Sequence, residues 1–160
     1  MPQHSFTLIS KRGRLSVLET ECHACAAFDP HTTPEHQRPT LEKFTAIWDT
    51  GATGSVITQD VVDRCGLKPV TMTKVHGVGG VHLAEVFVVN IMLPNAVGFS
   101  NVSVTKGLLP GGAQMLIGMN IITTGDFCIT NQGGNTVFSF RHPSQTTIDF
   151  VKEGPEQARP

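Results

Sequence analysis

Short runs rich in Val, Ile, Phe and Thr recur along the chain between Gly, Pro and Asn signals, and no long segment holds a helical period. β structure should therefore dominate, because branched and aromatic side chains suit a pleated, half-buried surface while the Gly/Pro/Asn clusters set turns. At 160 residues the chain is long enough to bury a core and too short for two ordinary domains side by side. It reads as one all-β domain, a closed or folded-over sheet.

Along that sheet, Ser5 to Ser10 and Leu15 to Glu21 read as a hairpin through the polar turn Lys11-Arg12-Gly13-Arg14. Residues 29–43 form a loop insertion, with three prolines, three threonines and two histidines between Asp29 and Thr40. Phe44 to Trp48 resumes as a strand, and Gln59 to Cys65 reads as a short helix stopped by Gly66. Val70 to Val75 and Val81 to Leu93 form a long hairpin with a glycine-rich tip at Gly77-Val78-Gly79-Gly80. Val102 to Thr105 is a short strand, Asn120 to Thr124 one helical turn, and Cys128 to Thr130 with Thr136 to Phe140 a last hairpin. The core spans about 44–140 and residues 141–160 form a polar, fraying tail.

Charge and composition exclude several functions. Hydrophobic residues make up 39% and charged residues 16%, with a formal net charge of -1, which argues against a basic nucleic-acid surface and against a highly charged disordered chain. The amino terminus has no secretory pattern and no apolar run approaches a membrane span, so a cytosolic protein without a membrane partner is expected. In that compartment the four cysteines (22, 25, 65 and 128) should be thiols, with Cys65 and Cys128 packed in the core.

Trp48-Asp49-Thr50-Gly51-Ala52-Thr53-Gly54 carries the chemistry. An Asp-Thr-Gly triplet after an apolar strand holds a carboxylate where a proton can be moved. A lone surface Asp is a weak base, but two carboxylates face to face cannot comfortably both ionise. They then share a proton, so that one accepts while the other donates, and a water between them can attack a peptide carbonyl without a covalent intermediate. Of the six aspartates only Asp49 is followed by Thr or Ser and then Gly, so the second such carboxylate must come from another chain. The sequence thus predicts a homodimer. Thr50 can hydrogen-bond across the dimer axis, Gly51 lets backbone approach closely, and Ala52 leaves room beside the carboxylate. The Gly77 to Gly80 tip can close over an extended peptide.

Three elements in fixed order, Asp49-Thr50-Gly51-Ala52, Gly77-Val78-Gly79-Gly80 and Leu116-Ile117-Gly118-Met119-Asn120-Ile121-Ile122, make the chain resemble a retropepsin, the single-domain homodimeric aspartic protease family. The resemblance covers roughly residues 44 to 130. It implies a retropepsin-like closed β-barrel with a flap hairpin and one or two short helices, an aspartic endopeptidase acting on peptides or proteins, and no cofactor. Carried over, Asp49, Thr50 and Gly51 are catalytic, with Thr50 the interlocking dimer contact. Ala52, Thr53, Gly77, Val78, Gly79 and Gly80 bind substrate, and Ile117 and Gly118 support the active-site strand. Viral members usually have an Asp–Arg ion pair where Thr53 and Met119 stand. Both charges are absent together here, which leaves no unpaired charge and places the chain closer to the cellular and bacterial members.

Competing chemistries find little in the sequence. Cys22-x-x-Cys25 with His31 and His36 offers four zinc ligands, but the gap between the pairs is much shorter than in a finger, and no metal is expected. His-Glu-x-x-His, Gly-x-Ser-x-Gly and the phosphate-binding Gly-x-x-x-x-Gly-Lys-Ser/Thr are absent. The alternative is a catalytically silent dimer of the same fold that binds peptides or a partner protein. Val75, Val78 and Met115 are the expected apolar subsite residues.

Overall fold

The computed structural model describes residues 4–77 and 79–152. Its strands are β1 (His4–Ile9), β2 (Glu19–Ala26), β3 (Glu42–Trp48), β4 (Ser55–Ile57), β5 (Thr71–Gly77), β6 (Gly80–Leu93), β7 (Val97–Lys106), β8 (Met115–Ile117), β9 (Asp126–Thr130) and β10 (Val137–His142). Two short helices, α1 (Gln59–Arg64) and α2 (Met119–Ile122), follow β4 and β8.

Six strands in the order β2-β3-β8-β4-β7-β6 close into a barrel, because β2 pairs with β3 along its first part and with β6 along its last (Ala24 opposite Ile91). Closure leaves no open edge in this sheet except at β5, which pairs with β6 alone and forms a hairpin. The period-two pattern sets what lies inside. Phe44, Ala46 and Trp48 of β3 alternate with more exposed neighbours, and Phe87, Val89, Ile91 and Leu93 of β6 are buried at every second position. Asn90 lies between two of these, at a register shift against β7, and its buried amide donates to the Phe28 carbonyl and accepts from the Asn101 N–H.

A second sheet, β1-β10-β9, packs its aromatic side chains against the barrel. Trp48 lies 5.0 Å from the Phe138 ring and 5.2 Å from Phe140, and Phe6 lies 5.5 Å edge-on to Phe138. Edge-to-face pairs of this kind each add about 0.5–1.5 kcal/mol beyond buried area. The Trp48 indole N–H donates to the buried Thr20 hydroxyl at 3.0 Å, so the polar end of the ring is also satisfied.

The expected amino-terminal hairpin does not form. β2 begins at Glu19 rather than Leu15 and joins the barrel, while β1 pairs antiparallel with β10, Phe6 opposite Phe140. Phe6 buries itself among the other aromatic rings there, which a local hairpin would not allow. The intervening chain, turned by Gly13 at φ +88°, wraps around Thr136 instead. Ser10 N–H donates to the Thr136 carbonyl, Thr136 N–H to the Gly13 carbonyl, and Leu15 N–H to the Thr136 hydroxyl.

The segment expected as a tail from Arg141 is also held at its start. β10 runs on to His142, and Arg141 pairs with Asp126, which further accepts from the Ser144 hydroxyl and the Gln145 N–H. β7 begins five residues earlier than Val102, because positive φ at Asn101 and the small Gly98 hide its alternation. The 29–43 insertion contains a 3-10 turn at Glu35–Gln37, and the Arg38 guanidinium ties it by donating to the carbonyls of Thr33 and Pro30. The helix at Gln59 forms as expected, burying Val61 and Val62, with Gly66 at φ +60° past its end. No helix among the described residues is long and apolar enough to cross a membrane.

Candidate active site

Asp49 stands immediately after β3, where the anchored Trp48 ends the strand. Its N–H donates to the Ile117 carbonyl at 3.0 Å, continuing the parallel β3–β8 pairing by one more bond. The chain then turns sharply. Ala52 N–H donates to the Asp49 carbonyl, and Gly51 N–H donates to Asp49 Oδ1 at 2.8 Å. A Cβ on Gly51 would lie 3.1 Å from that same oxygen, so the missing side chain is what lets the carboxylate curl over its own loop.

Asp49 and Thr50 are exposed. Among the described residues no ion pair reaches Asp49 and no side-chain hydrogen bond engages Thr50. The other five aspartates are occupied elsewhere: Asp29 accepts from the His31 N–H, Asp60 and Arg64 pair, Asp63 accepts from Gln59, Asp126 holds Arg141, and Asp149 pairs with Lys152. Beside Asp49 opens a cleft of about 400 Å³, with Leu15, Val17, Ile47 and Ile129 presenting apolar surface to it.

A second loop supports the first from below. Gly118 follows β8 and is buried against the 49–54 loop so closely that a Cβ would sit 2.4 Å from the Gly54 carbonyl oxygen and 3.0 Å from that of Ala52. Met119 N–H donates to the Ala52 carbonyl at 2.8 Å, and Asn120 N–H donates to that of Thr53 at 3.2 Å. Thr53 is exposed and Met119 packs partly against the core, so neither position carries a charge that needs a partner.

The structure brings Asp49, Thr50, Gly51, Ala52, Thr53, Ile117 and Gly118 together in one pair of crossing loops. The β5–β6 hairpin carries Gly77, Gly79 and Gly80 at its exposed tip, with Gly77 opposite Gly80 and Gly80 at φ +106°. Val78, expected to bind substrate, lies outside the described residues.

One other expectation is corrected. Met115, expected in a subsite, is wholly buried inside the barrel, where it accepts a weak bond from the Cys22 thiol at 3.5 Å. Val75 is half-buried on β5. Nor do Cys22, Cys25, His31 and His36 converge. Three residues apart on one strand, the two cysteines face opposite sides, while both histidines lie on the exposed insertion. Among the described residues no three metal-binding side chains gather, and all four cysteines are free; Cys65 is half-buried and packs against the core, while Cys128 is half-buried outside it. Burial pushes the Cys22 thiol up to about 12, with a smaller contribution from Glu21, and Cys65 is raised to about 11 mainly by burial.

Sequence reasoning passed over Ser55 and Asn120. A signal for the first was available, since in Ser55-Val56-Ile57 the hydroxyl falls on the same strand face as the buried Ile57. A polar group at an inward position must find a partner.

A family model described as "gag-polyprotein putative aspartyl protease" matches residues 41–124, just over half of the chain and the whole of both crossing loops. The chain belongs to the retropepsin-like aspartic protease family. Among solved structures, a retropepsin-like aspartic protease from Rickettsia conorii superposes with a TM-score of 0.53 over 89% of this chain and 97% of that one. Identity there is 13%, so the likeness speaks for the retropepsin-like fold alone. The retroviral protease-like domain of Ddi1 from Leishmania major is a weaker match, with a TM-score of 0.42 and 15% identity over 78% of this chain and 95% of that one. No curated protein matches this retropepsin-like chain by sequence.

Proposed function

We propose that this chain is an aspartic endopeptidase that works as a homodimer, with Asp49 of each subunit flanking one water. The observation that carries this reading is the state of Asp49: a carboxylate fixed by backbone at the end of a barrel strand, exposed at the rim of an apolar cleft, and neutralised by no cation among the described residues. An ordinary turn aspartate needs no such support from a second loop. Because the other aspartates of the fold are engaged elsewhere, the second acid is supplied by a second copy.

In the dimer the two carboxylates hold one proton between them. The ionised Asp49 takes a proton from the water as its oxygen bonds to the peptide carbonyl carbon, and the protonated Asp49 gives its proton to the carbonyl oxygen. The Asp49 that took the water's proton then gives it to the leaving nitrogen as the C–N bond breaks, while the other, now ionised, Asp49 takes a proton from a hydroxyl of the tetrahedral intermediate, which restores the single shared proton. Thr50 bonds across the two-fold axis, and the β5–β6 hairpin covers an extended substrate and excludes water.

The test is cleavage of a diverse peptide library, with and without a statine-type inhibitor, by wild type and Asp49→Asn. The amide cannot exchange the proton, so turnover should fall by at least about 10²–10⁴-fold with the far-UV circular dichroism unchanged. Specific activity should also fall on dilution as dimers dissociate. Undiminished cleavage by Asp49→Asn, or constant specific activity in a demonstrably monomeric sample, refutes the reading.

A further inference from the structure

Among the described residues four polar side chains belong to the buried interior, and three of them serve the frame. Thr20 receives the Trp48 indole, Asn90 fastens the bulge in β6, and Thr136 gathers the chain after β1. The fourth is Ser55, 1% exposed, which lies where the two loops of the active site cross. Its hydroxyl accepts from the buried Gly118 N–H at 3.1 Å and donates to Asn120 Oδ1 at 2.8 Å. Asn120 in turn donates from its backbone to the Thr53 carbonyl and from Nδ2 to the Ser103 carbonyl on β7 at 3.3 Å.

This arrangement is directional. The Ser103 carbonyl can only accept, so Asn120 turns Nδ2 toward it and Oδ1 toward Ser55. Ser55 therefore gives its one proton to Asn120 and uses a lone pair for the Gly118 N–H. The remaining bonds between the two loops are backbone bonds that any sequence makes. Among the described residues Ser55 supplies the side-chain bonds between them, one to the Gly118 N–H and one to Asn120, and through Asn120 it also reaches β7 across the barrel.

We infer that Ser55 and Asn120 are positioning residues, which hold the Asp49 loop at the height and tilt that two facing carboxylates require. The inference rests on the proposed catalytic role of Asp49. Two acids related by symmetry are displaced together when each loop relaxes, so a small shift in one subunit opens the pair by twice that amount. Catalytic geometry tolerates little of this, and a displacement of about 1 Å costs on the order of 10²-fold in rate.

The experiment compares wild type, Ser55→Ala, Ser55→Thr, Asn120→Ala and Asp49→Asn as full chains. It reads kcat and KM separately, the pH profile of kcat, and hydrogen exchange of the Gly118 amide. Asn120 is exposed, so its truncation should spare the fold. Ser55→Ala and Asn120→Ala should lower kcat by about 10–100-fold with KM within about 2-fold, and Ser55→Thr, which keeps the hydroxyl, should recover most of the loss.

The bell of kcat against pH should narrow in the two alanine variants. As the carboxylates separate, the shared proton is lost more easily on the alkaline side and the single negative charge is less stabilised on the acid side, so both limbs move inward. The Gly118 amide should exchange at least about 10-fold faster in Ser55→Ala, a readout independent of turnover. Wild-type kcat with an unchanged bell in both alanine variants, or unchanged Gly118 exchange in Ser55→Ala, overturns the positioning role. Cleavage by Asp49→Asn at the wild-type rate instead removes the catalytic reading beneath it.

Discussion

Replacing Gly118 by alanine tests the crossing of the two loops more directly than any change to the acid itself. The added Cβ would meet the Gly54 carbonyl oxygen at 2.4 Å, its carbon at 2.6 Å and the Ala52 oxygen at 3.0 Å, all of them backbone atoms that cannot rotate away. Restoring even the 3.0 Å that real Cβ contacts respect needs the loops to part by at least about 0.6 Å. That movement stretches the Met119–Ala52 bond from 2.8 Å to about 3.4 Å and the Asn120–Thr53 bond from 3.2 Å to about 3.8 Å, past hydrogen-bonding range for the second. Overpacking of this kind costs about 1–3 kcal/mol, and one to two weakened buried bonds add about 1 kcal/mol each, for a total of about 2–5 kcal/mol. In a chain of this length that is a fall in Tm of about 4–20 °C. The control is Gly54→Ala, where the Cβ meets nothing within 4 Å and φ is ordinary, so stability should change by no more than about 0.5 kcal/mol. Thermal unfolding followed by circular dichroism, with peptidase turnover on the same samples, reads both variants. A Gly118→Ala protein that melts within about 1 °C of wild type would show that the loops do not press on one another as the structure has them.

Two further outcomes concern the frame. The Ser144 hydroxyl foremost, then the Gln145 N–H and the Arg141 guanidinium, hold the Asp126 carboxyl down to about 2. A carboxyl lowered in the folded state contributes stability that is present above its unfolded value of 3.8 and lost as pH falls toward about 2. Tm should therefore decline between these limits more steeply in wild type than in Asp126→Asn, and parallel curves would discount the clamp. Cys22 and Cys25 are fully buried and their thiols are raised by burial, so native protein at pH 8 should resist a thiol reagent at both sites until denaturant is added, as read by mass spectrometry of labelled peptides. Rapid labelling of Cys22 in the folded state would contradict its place against Met115.

The barrel was largely legible in the sequence because its strands obey local rules. The β5–β6 hairpin announces itself by two apolar runs around a glycine tip, and the register of Gly77 opposite Gly80 follows from that tip. The helix after β4 likewise has its buried pair, Val61 and Val62, and its glycine stop written within eight residues. Asp49 was legible for a different reason. Its Asp-Thr-Gly triplet encodes a turn in which the carboxylate bonds the second following N–H, and that geometry is complete within three residues.

What was hidden depends on partners far along the chain. The amino-terminal runs satisfy every local rule for a hairpin, with alternating residues on each side of a polar turn. Yet Phe6 gains more from Trp48, Phe138 and Phe140, which are 42, 132 and 134 positions away, than any neighbour across that turn can give. Burial of one aromatic side chain contributes about 1.5–3 kcal/mol, enough to override the small preference of an isolated two-stranded turn, which is marginally stable in water. The same logic governs Ser55. Its inward position could be read, but its partners Gly118 and Asn120 come more than sixty residues later, and only the closed barrel brings β4 and β8 side by side. Local sequence thus writes the acid and its turn, while the height at which that acid stands is set by contacts that exist only after the sheet has closed. A carbon added at Gly118 presses on that height directly, because every atom it would meet within 3.0 Å is backbone of the acid's own loop.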